Sequence, residues 1–294
     1  MTFKEPSGLA AAAVFLSAAI WGLFWMPIRL FDEHGIGGEW ALISFYFPAF
    51  VVLLPVVVFD LTRQFRHFGA ALAIGFFIGA ALAMFGVGIL HTSVVRATVL
   101  FYLSPVWGTL IGQFWLGEVP SRRRWVGIFL GILGLILLIF ERQAVAFNAG
   151  DFLALLSGMC WAVGLAGIKR VGEIPIAGLS LFQFMFAVLF IFALERLFSP
   201  LDPPSIGGNL VEFISIAGIS VCFIVPALFL LAWASRILYP GRVGLLMMSE
   251  VLVAITTASI FIPEETLYTT QWAGAVLIIV ASMVELVGNP KQYF

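Results

Sequence analysis

The chain has 294 residues, of which 62% are hydrophobic and only 11% are charged. Soluble domains carry about 25% charged residues, so this composition excludes a water-soluble fold. The formal net charge of −1 and the lack of a long basic run predict no nucleic-acid partner. The two cysteines, Cys160 and Cys222, lie within apolar runs and are expected to be packing residues. Since neither CxxC nor HExxH spacing occurs, we expect no metal and no cofactor.

Ten apolar runs follow one another along the chain, separated by short polar breaks. About 20 apolar residues cross a bilayer as a helix, which matches the length of these runs. Runs such as GIFLGILGLILLIF are apolar all round, whereas the strands of membrane barrels alternate apolar and polar residues. The sequence therefore predicts an all-α integral membrane protein with ten transmembrane helices, over residues 10–30, 40–60, 69–90, 94–116, 125–140, 151–170, 176–197, 211–235, 241–262 and 270–288.

Lysine and arginine concentrate on one side of the predicted membrane. Eleven of the fifteen basic residues fall in the breaks on the same side as the N-terminus, and loops rich in these residues stay in the cytoplasm. Both termini are therefore predicted to be cytoplasmic. The longest break, LFSPLDPPSIGGN at 197–209, is predicted to be an external loop.

Two segments about 140 residues apart resemble each other. AIWGLFWMPIR at 19–29 aligns with CWAVGLAGIKR at 160–170, so that Trp21 corresponds to Trp161. The basic residue that ends the first segment, Arg29, corresponds in the same way to Lys169 of the second.

A second correspondence lies near the end of each half of the chain. The segment that begins LSPVWGTLIG aligns with the segment that begins MSEVLVAITT, so that Ser104 corresponds to either Ser249 or Glu250. Together the two correspondences predict a duplicated five-helix unit, with the first copy at 1–147 and the second at 148–294.

An odd number of helices in each copy determines the architecture. The second copy enters the membrane from the opposite face, so the two copies form an inverted repeat about an axis in the membrane plane. This symmetry suits alternating access, because one sequence plan builds both an inward-open and an outward-open state. Duplication for the sake of a stable bundle is the alternative explanation.

The motifs at the two copies carry a family resemblance. LSAAIWGLFWMPIRL at 16–30 resembles the first helix of the drug/metabolite transporter superfamily. TSVVRATVLFYLSPVWGTLIGQFWLGE at 92–118 resembles the fourth helix of its EamA-type repeat and the turn that follows. The aromatic richness is most similar to that of the bacterial aromatic amino-acid exporters. The resemblance implies a ten-helix transporter that exports small metabolites, with a cavity formed mainly by spans 1, 3, 4, 6, 8 and 9.

The resemblance extends to individual residues. Pro105 matches the proline of the fourth helix, and Glu118 matches the glutamate of the turn after it. Glu250 matches the glutamate that precedes a proline in the second copy, but Val251 stands where that proline would be. A kink in span 9 is therefore not implied by this sequence. Either Glu264 or Glu265 corresponds to Glu118.

Aromatic residues of the first and sixth spans are candidate substrate contacts. Trp21 and Trp25 are four residues apart and so share one face of a continuous helix, with Phe24 beside them. They are predicted to form a stacking wall for a flat apolar substrate, together with Trp161. Ordinary packing is the alternative for Trp21, and an interfacial position is the alternative for Trp25.

Two prolines within spans are candidate hinges. Pro105 removes a helix hydrogen bond in the middle of span 4, where Phe101 and Tyr102 are candidate substrate contacts on the preceding turn. The alternative is a static kink. Pro226 is predicted to act in the same way in span 8.

Glu250 places a carboxylate near the middle of span 9. A charge at this depth is costly, so it is usually paired, protonated or exposed to water. Three roles remain open: binding a substrate amino group, relaying a proton, or bonding to a facing helix. Met247 offers an adaptable apolar surface beside it, and Gln183 and Ser157 are weaker candidates for polar contacts.

Three functions are compatible with these features. The first is an exporter of amino acids with aromatic or other large apolar side chains, and the second is a carrier of a drug, a nucleobase or a sugar. The third is an integral membrane enzyme or a lipid-handling protein, but no nucleophile–base pair is evident. The expected partners are a small-molecule substrate and the lipid bilayer. Arg29 and Lys169 either extend to lipid headgroups or contribute to a gate.

Overall fold

The computed structural model describes residues 7–64, 66–92, 94–139, 146–198, 210–261 and 269–286. Helices are the only regular elements within these ranges. The first half contains α1 (Ser7–Gly22), α2 (Trp25–Glu33), α3 (Gly38–Val58), α4 (Leu61–Gln64), α5 (Phe68–His91), α6 (Val94–Phe101), α7 (Ser104–Leu116) and α8 (Arg122–Ile139). The second half contains α9 (Ala149–Val171), α10 (Ile176–Phe198), α11 (Leu210–Ile237), α12 (Pro240–Met247), α13 (Ser249–Phe261) and α14 (Thr269–Leu286). Two of the regions discussed above lie outside the described residues. They are residues 199–209 of the predicted external loop, and the pair Glu264 and Glu265.

Seven helical segments in the described part of the chain are long and apolar enough to cross a membrane. The remaining three predicted spans correspond to α8, to α12 with α13, and to α14. Helix α8 begins with three arginines, α12 and α13 are separate helices, and α14 is short. The all-helical membrane fold is thus confirmed, whereas the count of ten spans stays a prediction.

Large apolar side chains are exposed along the helices. Phe114 is 81% exposed and Phe129 is 66% exposed. Apolar exposure on this scale is unfavourable in water and is what a surface in contact with lipid chains requires. The interior is a continuous cluster of aliphatic and aromatic side chains drawn from both halves.

Two of the predicted continuous spans are broken close to a proline. The ring of a proline clashes with the carbonyl group four residues before it. Helix α1 ends at Gly22, and Leu23 lies four residues before Pro27. Helix α6 ends at Phe101, which lies four residues before Pro105.

The ninth predicted span is also broken, although it contains no proline at this depth. Helix α12 ends at Met247 and α13 begins at Ser249. The hydroxyl of Tyr102 lies 3.0 Å from the Met247 carbonyl oxygen, and the Val251 N–H bonds instead to the Met248 carbonyl. A side chain of the first half thus bonds to the carbonyl oxygen that the Val251 N–H would bond in a continuous helix. The breaks also settle the alignment, because Ser104 and Ser249 each begin the helix after a break.

The packing of the helices repeats when the two halves are exchanged. Helix α5 packs on α9, and in the same way α11 packs on α1. Helix α10 packs on α5, and α3 packs on α11. The pairs α3–α10 and α8–α14 map onto themselves. A pseudo-twofold relation between two five-span repeats predicts this pattern.

Two ends of the bundle can be distinguished from contacts between antiparallel helices. Gly150 at the start of α9 lies beside His91 at the end of α5, whereas Gly167 near the end of α9 lies beside Ile74. We call the first the Asp151 end, where buried Asp151 pairs with Arg96. The opposite end, where Arg124 pairs with Glu118 and Glu285, is the Arg124 end.

Candidate functional site

Two helix breaks meet at a hydrogen bond between the repeats. The hydroxyl of Tyr102, in the break between α6 and α7, lies 2.9 Å from Oε2 of Glu250. Its single proton is shared between this carboxylate and the Met247 carbonyl oxygen. Tyr102 is buried, whereas Glu250 is partly exposed. Glu250 lies in the first turn of α13, where the helix dipole favours a negative charge.

Aromatic rings surround Tyr102 on the side of α9. The Phe101 ring lies 5.2 Å from the Tyr102 ring, 6.1 Å from the Trp161 ring and 4.7 Å from the Phe85 ring, measured between centroids. Three predicted residues, Phe101, Tyr102 and Trp161, thus belong to one cluster. Trp161 is 4% exposed, so in this conformation it supports the cluster from behind.

A small apolar pocket lies where α1, α3 and α11 meet. It is lined by Ile20, Trp21, Phe24, Phe45, Phe223, Ile224 and Ala227. In this conformation its volume is about 10 Å³, which is the room that one water molecule needs and far below the roughly 300–1,000 Å³ of common ligand pockets, so it must widen to take a substrate ring. Gly22, which follows Trp21, packs against the Glu250 backbone. The end of α1 that carries the pocket residue Trp21 therefore packs on the first turn of α13, which carries Glu250.

The pocket contains one unused hydrogen-bond donor. The indole N–H of Trp21 is buried and has no hydrogen-bond partner among the described residues. Its ring lies 5.7 Å from the Phe24 ring, which in turn meets the Phe45 ring edge-on at 4.9 Å. Leaving a buried donor unpaired costs about 1–3 kcal/mol, so an acceptor on a ligand would stabilise this arrangement.

Trp25 does not share a helix face with Trp21. The break at Leu23–Phe24 separates them, and Trp25 begins a new helix. Its indole N–H donates to the Thr257 hydroxyl over 3.2 Å, which joins α2 to α13. The expectation of one continuous helix through both tryptophans is wrong, because Pro27 interrupts it. Their role as substrate contacts stays a prediction.

Three other candidates lie apart from this cluster in the described contacts. Ser157 is fully buried and its hydroxyl donates to the Ala154 carbonyl of its own helix, 2.6 Å away. Gln183 is buried where α10 packs on α5, and its side-chain oxygen has no partner among the residues described. Pro226 is exposed within an unbroken α11, so its role as a hinge stays a prediction.

Pro105 lies at a close approach of two helices. A Cβ atom added to Gly244 of α12 would lie 3.2 Å from the Pro105 backbone. Pro105 occupies the first turn of α7, where its missing N–H leaves no intrahelical bond unmade. This position is suited to a hinge, because α7 can change direction here without breaking helical hydrogen bonds.

Buried charges join the repeats at the Arg124 end. The Arg124 guanidinium pairs with Glu118 of the α7–α8 turn, and it lies 3.2 Å from Glu285 of α14. Arg242 of α12 lies 3.6 Å from the same Glu285 carboxylate. Burial raises the pKa of Glu118 above its ordinary value, while the charge of Arg124 opposes this shift. No described cluster of His, Cys, Asp or Glu has the composition of a metal site.

Some pocket residues are absent from the sequence-based prediction. Phe45 of α3 and Phe223 of α11 line the pocket, yet nothing in their flanking sequence distinguishes them among thirty phenylalanines. The second span was not among those expected to form the cavity. Thr257 was missed for a similar reason, since a hydroxyl four residues from the carbonyl of Val253 commonly bonds within its own helix.

The fold and the paired breaks define a duplicated helical membrane protein, and sequence comparison assigns its family. The family profile described as the EamA-like transporter family matches residues 8–140 and again residues 148–286. The chain therefore belongs to the EamA-like transporter family. Each match covers most of one half of the chain, and the repeat boundary at 147 stays a prediction.

Individual relatives are less informative about this chain than the family profile. The chain is 25% identical over 97 residues to a protein of Bacillus subtilis (strain 168) described as the uncharacterized transporter YyaM. That alignment covers 31% of this chain and 32% of the relative, so it spans about a third of each. One crystal structure superposes with a TM-score of 0.74 at 15% identity, covering 94% of this chain and 95% of the other. This similarity supports the fold alone.

Proposed function

We propose that this transporter exports small metabolites from the cell, namely amino acids with aromatic or other large apolar side chains, by alternating access. The single observation that carries the proposal is that Gly22, which follows the pocket residue Trp21, packs against the backbone of Glu250. An aromatic amino acid combines a ring with an amino group in the same way. Export and the inner membrane are inferred from the family resemblance and the basic loops.

Each part of the site has an assigned task. The apolar pocket, once it widens beyond the space of this conformation, takes the side chain. Glu250 accepts the amino group, and Tyr102 holds the carboxylate in place. The first turn of α7, at Ser104, supplies the positive end of a helix dipole for the substrate carboxylate.

Glu250 has two other roles that stay open. Its hydrogen bond to Tyr102 by itself satisfies the structural role. A proton relay is compatible with the same geometry, because a carboxylate exchanges protons readily where it is partly exposed. Replacing Glu250 with glutamine separates the structural role from the other two. The amide keeps the acceptor oxygen for Tyr102 but loses both the charge that binds an amino group and the titration that relays a proton.

A carrier of drugs, nucleobases or sugars is the second candidate. Nothing cationic lines the described pocket, which disfavours substrates that bear a phosphate. Membership of a transporter family argues against an enzyme. In the proposed topology both termini are cytoplasmic, so the Arg124 end faces the cytoplasm and the Asp151 end faces outward.

Counterflow in proteoliposomes tests the proposal. Vesicles preloaded in parallel with phenylalanine, tryptophan, methionine, threonine, a sugar or a cationic dye are diluted into the labelled form of each compound. We expect selective exchange of the large apolar amino acids, lost in Trp21→Ala. Trp272→Ala is the matched control, because Trp272 is 55% exposed on α14. Exchange of the dye or the sugar alone would refute the amino-acid assignment.

A further inference from the structure

Helices α7 and α12 are in direct backbone contact. A Cβ atom added to Gly241 of α12 would lie 2.9 Å from the Thr109 backbone of α7, and one added to Gly108 would lie 2.9 Å from the Gly241 nitrogen. Thr109 is fully buried. Because only glycine permits this separation, the two helices close the space between the repeats at the Arg124 end.

The repeat-equivalent contact is not formed at the opposite end. Exchange of the halves maps α7 onto α13 and α12 onto α6, so the counterpart of the α7–α12 contact is one between α13 and α6. Within the described ranges, no comparable packing joins these two helices. Most contacts between helices therefore obey the symmetry of the repeats, whereas the contact between α7 and α12 has no counterpart between α13 and α6 in the described ranges. A bundle that closes one end at a time has this form.

The basic residues that end spans 1 and 6 follow the same asymmetry. Lys169 donates to the Arg236 and Ile237 carbonyl oxygens at 3.2 Å and 2.6 Å, which ties α9 to the corner between α11 and α12. Its equivalent, Arg29, pairs with Glu33 one turn further along its own helix, and both side chains are about half exposed. A cross-helix bond at one end thus corresponds to a local pair at the other.

Further bonds secure the same end. Arg124 bridges Glu118 of the first repeat and Glu285 of the second. Arg236 of α11 donates to the Ile174 carbonyl oxygen, between α9 and α10. Arg170 donates to the Trp115 carbonyl oxygen, and this bond joins α9 to the end of α7. These contacts involve charged donors, which make the stronger hydrogen bonds.

We propose that the α7–α12 glycine contact, secured by Lys169 and Arg124, is the gate at the Arg124 end, and that this conformation is closed there. Opening requires α7 and α12 to separate, with Pro105 as the point about which α7 turns. Closure of the α6–α13 pair at the Asp151 end accompanies that opening. The inference rests on the alternating-access part of the proposed function and is independent of the substrate.

Thiol labelling tests the gate without a substrate. In a chain with Cys160 and Cys222 replaced by alanine, Ser104→Cys reports from behind the gate, since Ser104 is 2% exposed. Thr257→Cys on α13 reports from the Asp151 end. A membrane-impermeant maleimide is applied to oriented vesicles from each side in turn, and the rate of modification is measured.

Gly241→Ala is the perturbing variant, because a methyl group there overlaps the Thr109 backbone. We expect Ser104→Cys to be labelled about tenfold faster from the Arg124 side, as overpacking of this size displaces the equilibrium, and Thr257→Cys to be labelled more slowly. Gly218→Ala is the matched control, since a Cβ atom at Gly218 meets no atom within 4 Å. An unchanged rate at Ser104→Cys would overturn the gate.

A second variant tests the gate in case Gly241→Ala does not fold. Lys169→Met removes the bonds to the α11 carbonyl groups and introduces no overlap, and we expect it to change both rates in the same directions. A parallel rise at both reporters would mean general loosening and would overturn reciprocal gating. Normal gating with no amino-acid counterflow would instead refute the proposed substrate and leave the gate standing.

Discussion

Removal of one hydroxyl group tests the link between the two helix breaks. Tyr102→Phe keeps the ring that packs on Phe101 but deletes the bonds to Glu250 and to the Met247 carbonyl oxygen. A hydrogen bond to a charged group contributes about 1.5–3 kcal/mol. Because Glu250 is partly exposed and water replaces part of the lost bond, we expect the folded state to lose about 1–2 kcal/mol.

Thermal unfolding in detergent and the KM for export measure the two consequences of this change. A loss of this size corresponds to a decrease of several degrees in Tm. We also expect the KM for phenylalanine to rise by at most about thirtyfold, the value reached if the whole loss of about 2 kcal/mol falls on substrate binding, since 1.4 kcal/mol is a factor of ten. The rise follows from a carboxylate that no longer has a fixed orientation toward the substrate amino group.

Glu250→Gln is the matched comparison. The glutamine side chain keeps an acceptor for the Tyr102 hydroxyl, so we expect Tm to stay near that of the wild type. Affinity for amines falls instead, because the charge is lost. An unchanged Tm together with an unchanged KM in Tyr102→Phe would refute the reasoning, since the hydroxyl would then hold neither the helix break nor the carboxylate.

Two further variants test the packing of the repeats. Gly79→Ala places a methyl group about 2.6 Å from the Gln183 carbonyl oxygen, and we expect it to cost about 1–3 kcal/mol, measured by denaturant unfolding in detergent, whereas Gly69→Ala, in open space, is neutral. Asp151→Ala leaves Arg96 without its buried partner. We expect it to cost about 3 kcal/mol, while Glu33→Ala, at an exposed pair, costs under about 1 kcal/mol in the same assay.

Local features of the sequence account for much of the fold. The predicted span at 176–197 and the observed helix Ile176–Phe198 differ by a single residue, because a long apolar run has clear polar limits. The breaks before Pro27 and Pro105 have local causes as well. Alignment of the two repeats distinguishes Trp21 and Trp161 from the other tryptophans by sequence alone.

Other features depend on contacts between distant residues. At the Met248 break, the Met247 carbonyl oxygen accepts a hydrogen bond from Tyr102, which lies 145 residues away along the chain. The sequence around Val251 resembles an uninterrupted helix for that reason. The pocket is similar, since Phe45 and Phe223 become lining residues only when α3 and α11 meet beside α1.

The origin of the Met248 break has a consequence for biosynthesis. The ribosome completes the first repeat before the second, and Pro105 gives that repeat its break without outside help. The second repeat leaves the translocon with no residue of its own that interrupts α12 and α13. The bond to the Met247 carbonyl oxygen at its break comes from Tyr102 of the first repeat. The two repeats are thus alike in plan and unequal in assembly, because the partner for this carbonyl is made before the second repeat is synthesised.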